Sequence, residues 1–114
     1  MANRNSMSKR LIESEKVLEK KLAKMVGAEG GWCIKLLPTF VSGIPDRLCM
    51  FPGGIIVFVE MKSTGDKPSP IQRVIHRKLT RLGFIVLVID STPGLENLIQ
   101  WSRNGSKLTT KVEL

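Results

Sequence analysis

A Pro-Gly-Gly turn at residues 52–54 constrains the fold of this 114-residue chain more than any other feature. It separates two apolar stretches, residues 46–51 and residues 55–61, and short turns of this kind connect antiparallel strands. Asp46 lies six residues before the turn's proline, and Glu60 lies six residues after its last glycine. A symmetric hairpin therefore places Asp46 opposite Glu60, with Cβ atoms about 4.5–5.5 Å apart.

Two facing carboxylates repel each other unless a cation lies between them. Mg²⁺ takes oxygen ligands and commonly uses one or two carboxylates together with water and phosphate. Lys62 lies two residues after Glu60, so strand alternation puts it on the same face. An ammonium group can orient a nucleophile or offset charge on a phosphate under attack, while a bound metal lowers the pKa of water. Asp46, Glu60 and Lys62 together predict a metal-dependent site for phosphodiester cleavage.

Each of these residues also has a plain structural interpretation. Asp46 can cap a turn after Pro45, and Glu60 can form a surface ion pair with Lys62. Residues 55–59, however, are Ile-Ile-Val-Phe-Val, which is too apolar for an exposed edge strand. Charged residues at the end of such a run are more typical of a functional site than of a solvent-exposed surface.

Apolar periodicity predicts a helix before the hairpin and a strand between them. Ser8 is the expected N-cap of the first helix, which runs to about Val26 and stops at Gly27. Its apolar residues at helical spacing are Leu11, Leu18, Leu22 and Met25. Residues 32–37 are typical of a strand, which Pro38 ends before a turn at residues 42–45.

Beyond the hairpin, Ser69 is the expected N-cap of a second helix that ends near Leu82. Pro70 is its first residue, and Gln72 completes a capping box with Ser69. The unbroken apolar run at 84–89 predicts a strand buried on both faces, placed centrally or paired in parallel. A short helix at about 93–101 and a weak strand at 108–112 follow. The main elements are then in the order αβββαβα, which indicates an α/β fold.

Composition and charge limit the partners and the compartment. With 114 residues we expect one domain, residues 9–114, after a polar tail at 1–8. The net charge of +8 favours a polyanion, nucleic acid first, although solubility or an acidic membrane surface also explain such an excess. Apolar stretches fall short of the ~20 residues of a membrane span, so we expect a cytoplasmic protein. Cys33 and Cys49 are interpreted as reduced core thiols.

Gly43-Ile44-Pro45-Asp46-Arg47 and Phe58-Val59-Glu60-Met61-Lys62 together resemble the PD-(D/E)xK nuclease pattern. The chain is most similar to the VRR-NUC (virus-type replication-repair nuclease) family, which residues 30–31 (Gly-Gly) and 69–72 (Ser-Pro-Ile-Gln) also resemble. The resemblance implies a restriction endonuclease-like core with a central mixed β-sheet flanked by helices. It further implies that Asp46 and Glu60 bind metal, that Lys62 assists catalysis, and that the Met61 carbonyl completes the coordination.

The resemblance implies two further members of the site. The family contributes a Glu from the first helix, for which Glu19 is the better match and Glu15, one turn earlier, is the rival. Either could instead pair with a neighbouring lysine on the surface. Gln72 matches a glutamine that holds a phosphate or a metal-bound water in the family, and its capping position explains it equally well.

Basic residues on both helices are predicted to contact the DNA backbone, which gives affinity without base readout. They are Arg73, Arg77, Lys78 and Arg81 on the second helix, and Lys9, Arg10, Lys20, Lys21 and Lys24 on the first. A solvated helix face is the alternative for both groups. His76, the only histidine, has no counterpart in the family and is interpreted as a packing or surface residue.

The resemblance implies a Mg²⁺- or Mn²⁺-dependent DNA endonuclease, of a compact phage type that acts as a homodimer on branched DNA such as four-way (Holliday) junctions in repair. It implies no organic cofactor and no membrane partner. A non-catalytic DNA-binding module and a sequence-specific restriction-type enzyme are the alternatives. Four C-terminal apolar residues either form part of a dimer interface or close the core: Leu95, Leu98, Ile99 and Trp101.

Overall fold

A computed structural model describes residues 11–108 of the chain. Its elements in chain order are α1 (Glu15–Ala28), β1 (Trp32–Lys35), β2 (Arg47–Phe51), β3 (Ile55–Met61), α2 (Pro70–Arg81), β4 (Ile85–Ile89) and α3 (Thr92–Leu108). This order confirms the αβββαβα arrangement expected from the sequence.

The four strands form one mixed sheet in the order β1-β2-β3-β4. β1 pairs antiparallel with β2, β2 pairs antiparallel with β3, and β3 pairs parallel with β4. In the hairpin, Leu48 lies opposite Phe58 and Arg47 lies opposite Val59. One further step along the same register brings Asp46 opposite Glu60, so the predicted hairpin register is confirmed.

Helices α1 and α3 cover one face of the sheet and form the apolar core with it. Residues of the core from the helices and the two central strands are Leu18, Leu22, Val26, Leu95, Leu98, Ile99, Trp101, Cys49, Val57, Val59 and Met61. The C-terminal apolar residues therefore close the core of the chain. Cys33 and Cys49 are free thiols that face each other between β1 and β2, with their sulfur atoms 3.7 Å apart, as expected of reduced thiols in the core.

Helix α2 lies against the opposite face, and its start follows the sequence prediction. The Ser69 side chain accepts a hydrogen bond from the Gln72 amide, and the Gln72 side chain accepts one from the Ser69 amide. β4 is parallel to β3 as expected, but the expectation that both of its faces are buried is wrong. β4 has no further neighbour in the sheet that residues 11–108 form, and Val88 is 44% exposed.

The start of the first helix also differs from the prediction. α1 begins at Glu15 with Ser14 as its N-cap, whose side chain accepts a hydrogen bond from the Val17 amide. Residues 11–14 are not helical, because the backbone of Glu13 pairs with Thr64 across the fold. The predicted cap, Ser8, and the tail at 1–8 lie outside the described residues. The helix ends at Ala28 rather than near Val26.

Two predicted boundaries in the strands and helices need correction. β1 ends at Lys35 instead of residue 37. α3 continues to Leu108 instead of ending near Trp101, so Leu108 is helical and not the start of a strand. Residues 109–112 of that predicted strand lie outside the described part of the chain. Within residues 11–108, no helix is long and apolar enough to cross a membrane.

Candidate active site

The open end of the β2–β3 hairpin holds the two carboxylates that the sequence places together. Asp46 immediately precedes β2, and its Oδ2 accepts a hydrogen bond of 2.8 Å from the Met61 amide. The Asp46 carbonyl accepts a second bond, of 2.7 Å, from the Leu36 amide. These two bonds fix the residue to both neighbouring strands, and the buried Pro45 before it restricts the backbone further.

Glu60 is a buried carboxylate, with only 1% of its surface exposed. Its Oε2 accepts a hydrogen bond of 3.1 Å from Gln72 Nε2, and it lies 3.7 Å from Lys62 Nζ. Its Oε1 lies 3.4 Å from His76 Nε2. A buried charge of this kind is costly unless it is paired and hydrogen-bonded, and three polar side chains converge on Glu60 to do this.

Burial, and after it the neighbouring charges, shift the pKa values at this end of the sheet. Burial, followed by the hydrogen bond and charge of Asp46, raises the pKa of Glu60 to about 8, against the opposing effect of Lys62. Burial also raises the pKa of the Glu15 carboxyl, and Asp46 adds to that shift. Burial lowers the pKa of His76, and Lys62 lowers it further. A bound cation would relieve the repulsion that these carboxylates share.

Helix α2 brings Gln72 and His76 to the same carboxylate because residues four apart share one helix face. Gln72 both caps the helix through its Oε1 and donates to Glu60 through its Nε2, so the two interpretations of this residue coexist. Of the two interpretations of His76, the surface one is wrong, since its side chain is 12% exposed and packs against Glu60. The signal for it was present in the sequence, because His76 follows Gln72 by one helical turn.

The two glutamates of α1 differ in their surroundings. Glu19 Oε1 accepts a bond of 2.8 Å from Arg47 Nη2, which occupies that carboxylate with a cation. Glu15 lies at the start of the helix, where its amide donates to the Ser63 hydroxyl and the charges of Asp46 and Lys62 act on its carboxyl. Glu19 also lies beside Glu15, since its hydrogen bond and its charge add to the rise in the pKa of the Glu15 carboxyl. Both α1 glutamates are therefore near the site, and Glu19 is in addition paired with Arg47.

The oxygen donors at this site suit a hard divalent cation. Lys62 donates its amide to Ile89 on one side of β3, while Met61 donates to Asp46 on the other. Because the N–H and C=O groups of one strand residue point the same way, the Met61 carbonyl faces the Asp46 side. Among residues 11–108 no three His, Cys, Asp or Glu side chains are arranged to hold a metal. Asp46, Glu60 and the Met61 carbonyl offer oxygen donors of the kind that Mg²⁺ takes together with water and phosphate.

The cations predicted to contact DNA are exposed but do not form one surface. They lie on α2 (Arg73, Arg77, Lys78 and Arg81) and on α1 (Lys20 and Lys24). The two helices cover opposite faces of the sheet, so the α1 lysines and the α2 cations point away from each other. Only the α2 group belongs to the helix that contacts Glu60. Among the others, Lys21 binds Glu13, and Lys9 and Arg10 lie outside the described residues.

The chain is similar to known proteins in both sequence and structure. The chain is 43% identical over 82 residues to a protein named "Putative nuclease p44" of Acyrthosiphon pisum secondary endosymbiont phage 1, a match that spans 72% of this chain and 87% of that protein. A solved structure described as a VRR_NUC domain matches with a TM-score of 0.68 at 33% identity, covering 77% of this chain and 97% of that one. No protein-family model matches the chain.

Proposed function

The chain belongs to the VRR-NUC family of nucleases, and from this premise we propose that it hydrolyses phosphodiester bonds of DNA at the site around Asp46 and Glu60. The observation that carries the proposal is the environment of Glu60. This carboxylate is only 1% exposed, lies opposite the carboxylate of Asp46 and is contacted by Lys62. A purely structural role does not explain this arrangement, because two apolar residues in its place would stabilise the fold at least as well.

We propose that Asp46, Glu60 and the Met61 carbonyl hold a divalent metal ion, Mg²⁺ or Mn²⁺. Such an ion, when bound, lowers the pKa of water and polarises the scissile phosphate. Asp46 is held in place by the Met61 amide, and Glu60 is oriented by Gln72 and His76. These contacts set the direction of the carboxylate oxygens before any ligand arrives, and outer partners of this kind commonly affect activity 10- to 100-fold.

Lys62 has the position required of a group that acts on the phosphate or its attacking water. Its side chain is 17% exposed and is attracted to Glu60 at 3.7 Å, so it points into the site while retaining access to solvent. A lysine there offsets the negative charge that accumulates on the phosphate oxygens during attack and aligns the water that attacks. The exposed cations of α2 hold the flanking backbone phosphates.

The preferred substrate is proposed to be branched DNA such as a four-way junction, cut by a homodimer in the cytoplasm of a bacterial host. Two copies provide two sites, one for each strand to be cut. A restriction-type enzyme would share the chemistry and require a defined sequence. The α2 cations are exposed side chains suited to phosphate contacts, which carry no sequence information.

Cleavage of one panel of four-way, flapped and linear DNAs with Mg²⁺ and with Mn²⁺ tests the proposal. Asp46→Asn and Glu60→Gln should each lower the cleavage rate by about 10³-fold or more, which corresponds to about 4 kcal/mol in the activation barrier. Both variants keep the size of the side chain, so DNA binding measured by fluorescence anisotropy should persist. Light scattering on the same samples measures whether the protein is a dimer.

Glu96→Gln is the matched control, because Glu96 is an exposed carboxylate on α3 away from the site. The variants Glu15→Gln and Glu19→Gln, compared in the same assay, show which of the two α1 carboxylates contributes more to cleavage. We expect Glu15→Gln to require a higher metal concentration than Glu19→Gln for half of its maximal cleavage rate. If the purified protein binds every DNA form and cuts none with either metal, it is a non-catalytic module. Cleavage confined to one sequence in all forms would instead identify a restriction-type enzyme.

A further inference from the structure

The loop between β1 and β2 exposes three large apolar side chains next to the active site. Phe40 is 95% exposed, and Leu37 and Val41 are 62% and 44% exposed. A single exposed apolar residue needs no explanation, whereas several on one short loop indicate a contact surface. We call residues 37–42 the apolar loop.

The apolar loop is anchored to the elements that carry the site. The Ile44 amide donates to the Val41 carbonyl at 3.3 Å, which closes a turn at the end of the loop. Gly43 has a φ of +85°, and a Cβ at this position would lie 2.7 Å from the Ile71 carbonyl oxygen of α2. Only glycine allows this approach, which fixes the loop against the first turn of the helix that orients Glu60.

The distance along the chain from the loop to the catalytic carboxylate is short. Phe40 precedes Asp46 by six residues, a separation that spans at most about 20 Å even when fully extended. A DNA strand rises about 3.4 Å per nucleotide, so Phe40 reaches no further than about six nucleotides from a phosphate at Asp46. The Phe40 ring and the Asp46 carboxylate are therefore close enough for one bound stretch of DNA to contact both.

Charge favours nucleic acid over protein as the occupant. The chain carries a net charge of +8, and Lys35, two residues before the apolar loop, is exposed. Lys67 and Arg73 are also exposed, and they flank the start of α2, the helix against which Gly43 packs. An aromatic ring surrounded by cations is the usual platform for an unpaired base, because the base stacks on the ring while lysine and arginine hold the backbone. A paired base inside a duplex offers no free face for this contact.

We propose that Phe40 stacks on an unpaired or unstacked base at a branch point and so selects branched DNA over duplex. This inference rests on the proposed function, since it assigns the source of substrate preference at the same site. Leu37 and Val41 add exposed apolar surface to the same loop. The contact supplies discrimination by DNA structure and reads no sequence, because every base has a face that can stack.

Binding by a cleavage-inactive Asp46→Asn protein tests the contact directly. The probe is a four-way junction with 2-aminopurine at the branch point, compared with the same label inside a duplex arm. The fluorescence of the branch-point label should rise on binding as the base leaves its neighbours. Phe40→Ala in the Asp46→Asn background should abolish the rise, and Phe40→Trp should restore it.

Cleavage by the otherwise unchanged chain provides the second readout. Phe40→Ala should lower kcat/KM on the junction about 10-fold or more and change duplex cleavage less than about 2-fold. Leu82→Ala is the matched control, because Leu82 is 68% exposed at the far end of α2. Thermal unfolding confirms that each variant folds.

Three results would overturn the inference. The first is an equal effect of Phe40→Ala on junction and duplex, and the second is an unchanged 2-aminopurine signal. The third is conversion of a dimer to a monomer by Phe40→Ala in light scattering, which would assign the loop to a second copy of the chain. If the wild-type protein cuts no DNA, the proposed function fails, and the 2-aminopurine experiment still decides whether Phe40 contacts a branch-point base.

Discussion

The two faces of the sheet differ in what covers them. Helices α1 and α3 bury Leu22, Leu98 and their neighbours completely against one face. Helix α2 covers the other face without burying any of its own residues, and Ile56, Phe84 and Val88 beneath it are partly exposed. The residue of β3 most deeply buried on the α2 side is the ionisable Glu60, whereas those on the α1–α3 side are apolar.

This difference separates the source of stability from the location of the chemistry. Apolar burial contributes about 25 cal/mol per Å² and is concentrated under α1 and α3. The α2 face instead holds a carboxylate whose pKa is raised to about 8 by burial and by Asp46, an arrangement that costs stability. The α1–α3 core compensates for this cost, which allows α2 to present polar groups to a substrate.

The largest effect on stability should come from the α1–α3 face. Leu22→Ala removes a side chain that is 0% exposed, and loss of its contacts together with the cavity should lower the free energy of unfolding by about 2–5 kcal/mol. Val74→Ala on α2 is the matched control, and we expect less than about 1 kcal/mol for this half-exposed residue. Urea unfolding monitored by circular dichroism measures both, and equal losses would refute the contrast between the faces.

The hairpin and the start of α2 could be predicted from sequence because local rules determine them. The symmetric placement of Asp46 and Glu60 about the glycine turn gave the register that the pairing of Leu48 with Phe58 confirms. The Ser69–Gln72 capping box requires only residues within one helical turn. Such features depend on neighbours in the chain, so a single sequence contains them.

Other features depend on contacts between distant residues. Ser8 and Ser14 can both act as N-caps. The pairing of Glu13 with Thr64, 51 residues apart, determines the residue at which α1 begins. The apolar run of β4 does not reveal that the strand lies at the edge of the described sheet. The ion pair between Glu19 and Arg47 likewise joins residues 28 positions apart. The periodicity of apolar residues along the sequence contains no information about these contacts between distant residues.

His76 offers a test of the α2 face that should leave stability almost unchanged. Its side chain lies 3.4 Å from Glu60 Oε1, so His76→Ala removes one of the groups that orient this carboxylate. We expect kcat to fall about 10- to 100-fold with little change in KM, because the cations proposed to hold DNA are exposed residues of α2 and do not include His76. Steady-state cleavage of a junction with saturating metal measures the two constants.

His76→Gln is the conservative variant and should recover part of the lost kcat through its side-chain amide. Thr80→Ala is the control for the effect of any substitution in α2, because Thr80 is exposed and lies one turn further along the helix. A fall in thermal stability comparable to that of Leu22→Ala, with kcat unchanged, would show that His76 serves the fold and not the site. His76 is thus a positioning residue on this account, acting through Glu60.

The smallest effect concerns the polar contacts of Glu13, which connect α1, α3 and the residues after β3. Glu13 accepts hydrogen bonds from the Thr92 amide and hydroxyl at the start of α3 and from Lys21 of α1, and its backbone pairs with Thr64, two residues after Lys62. The bond from Lys21 and those from Thr92 hold the pKa of Glu13 below its ordinary value. Its contribution to stability is therefore present at neutral pH and is lost as the pH falls through that lowered pKa.

Glu13→Gln should lower the free energy of unfolding by about 1–2 kcal/mol at pH 7, less than Leu22→Ala, because several bonds survive the change. The difference between wild type and variant should shrink as the pH falls through the lowered pKa at which the wild-type carboxylate gains its proton. Glu29→Gln, which breaks the more exposed pair with Arg103, should cost less at pH 7. A difference that stays constant over the whole acid range in which the protein remains folded would mean that Glu13 acts through the shape of its side chain and not through its charge.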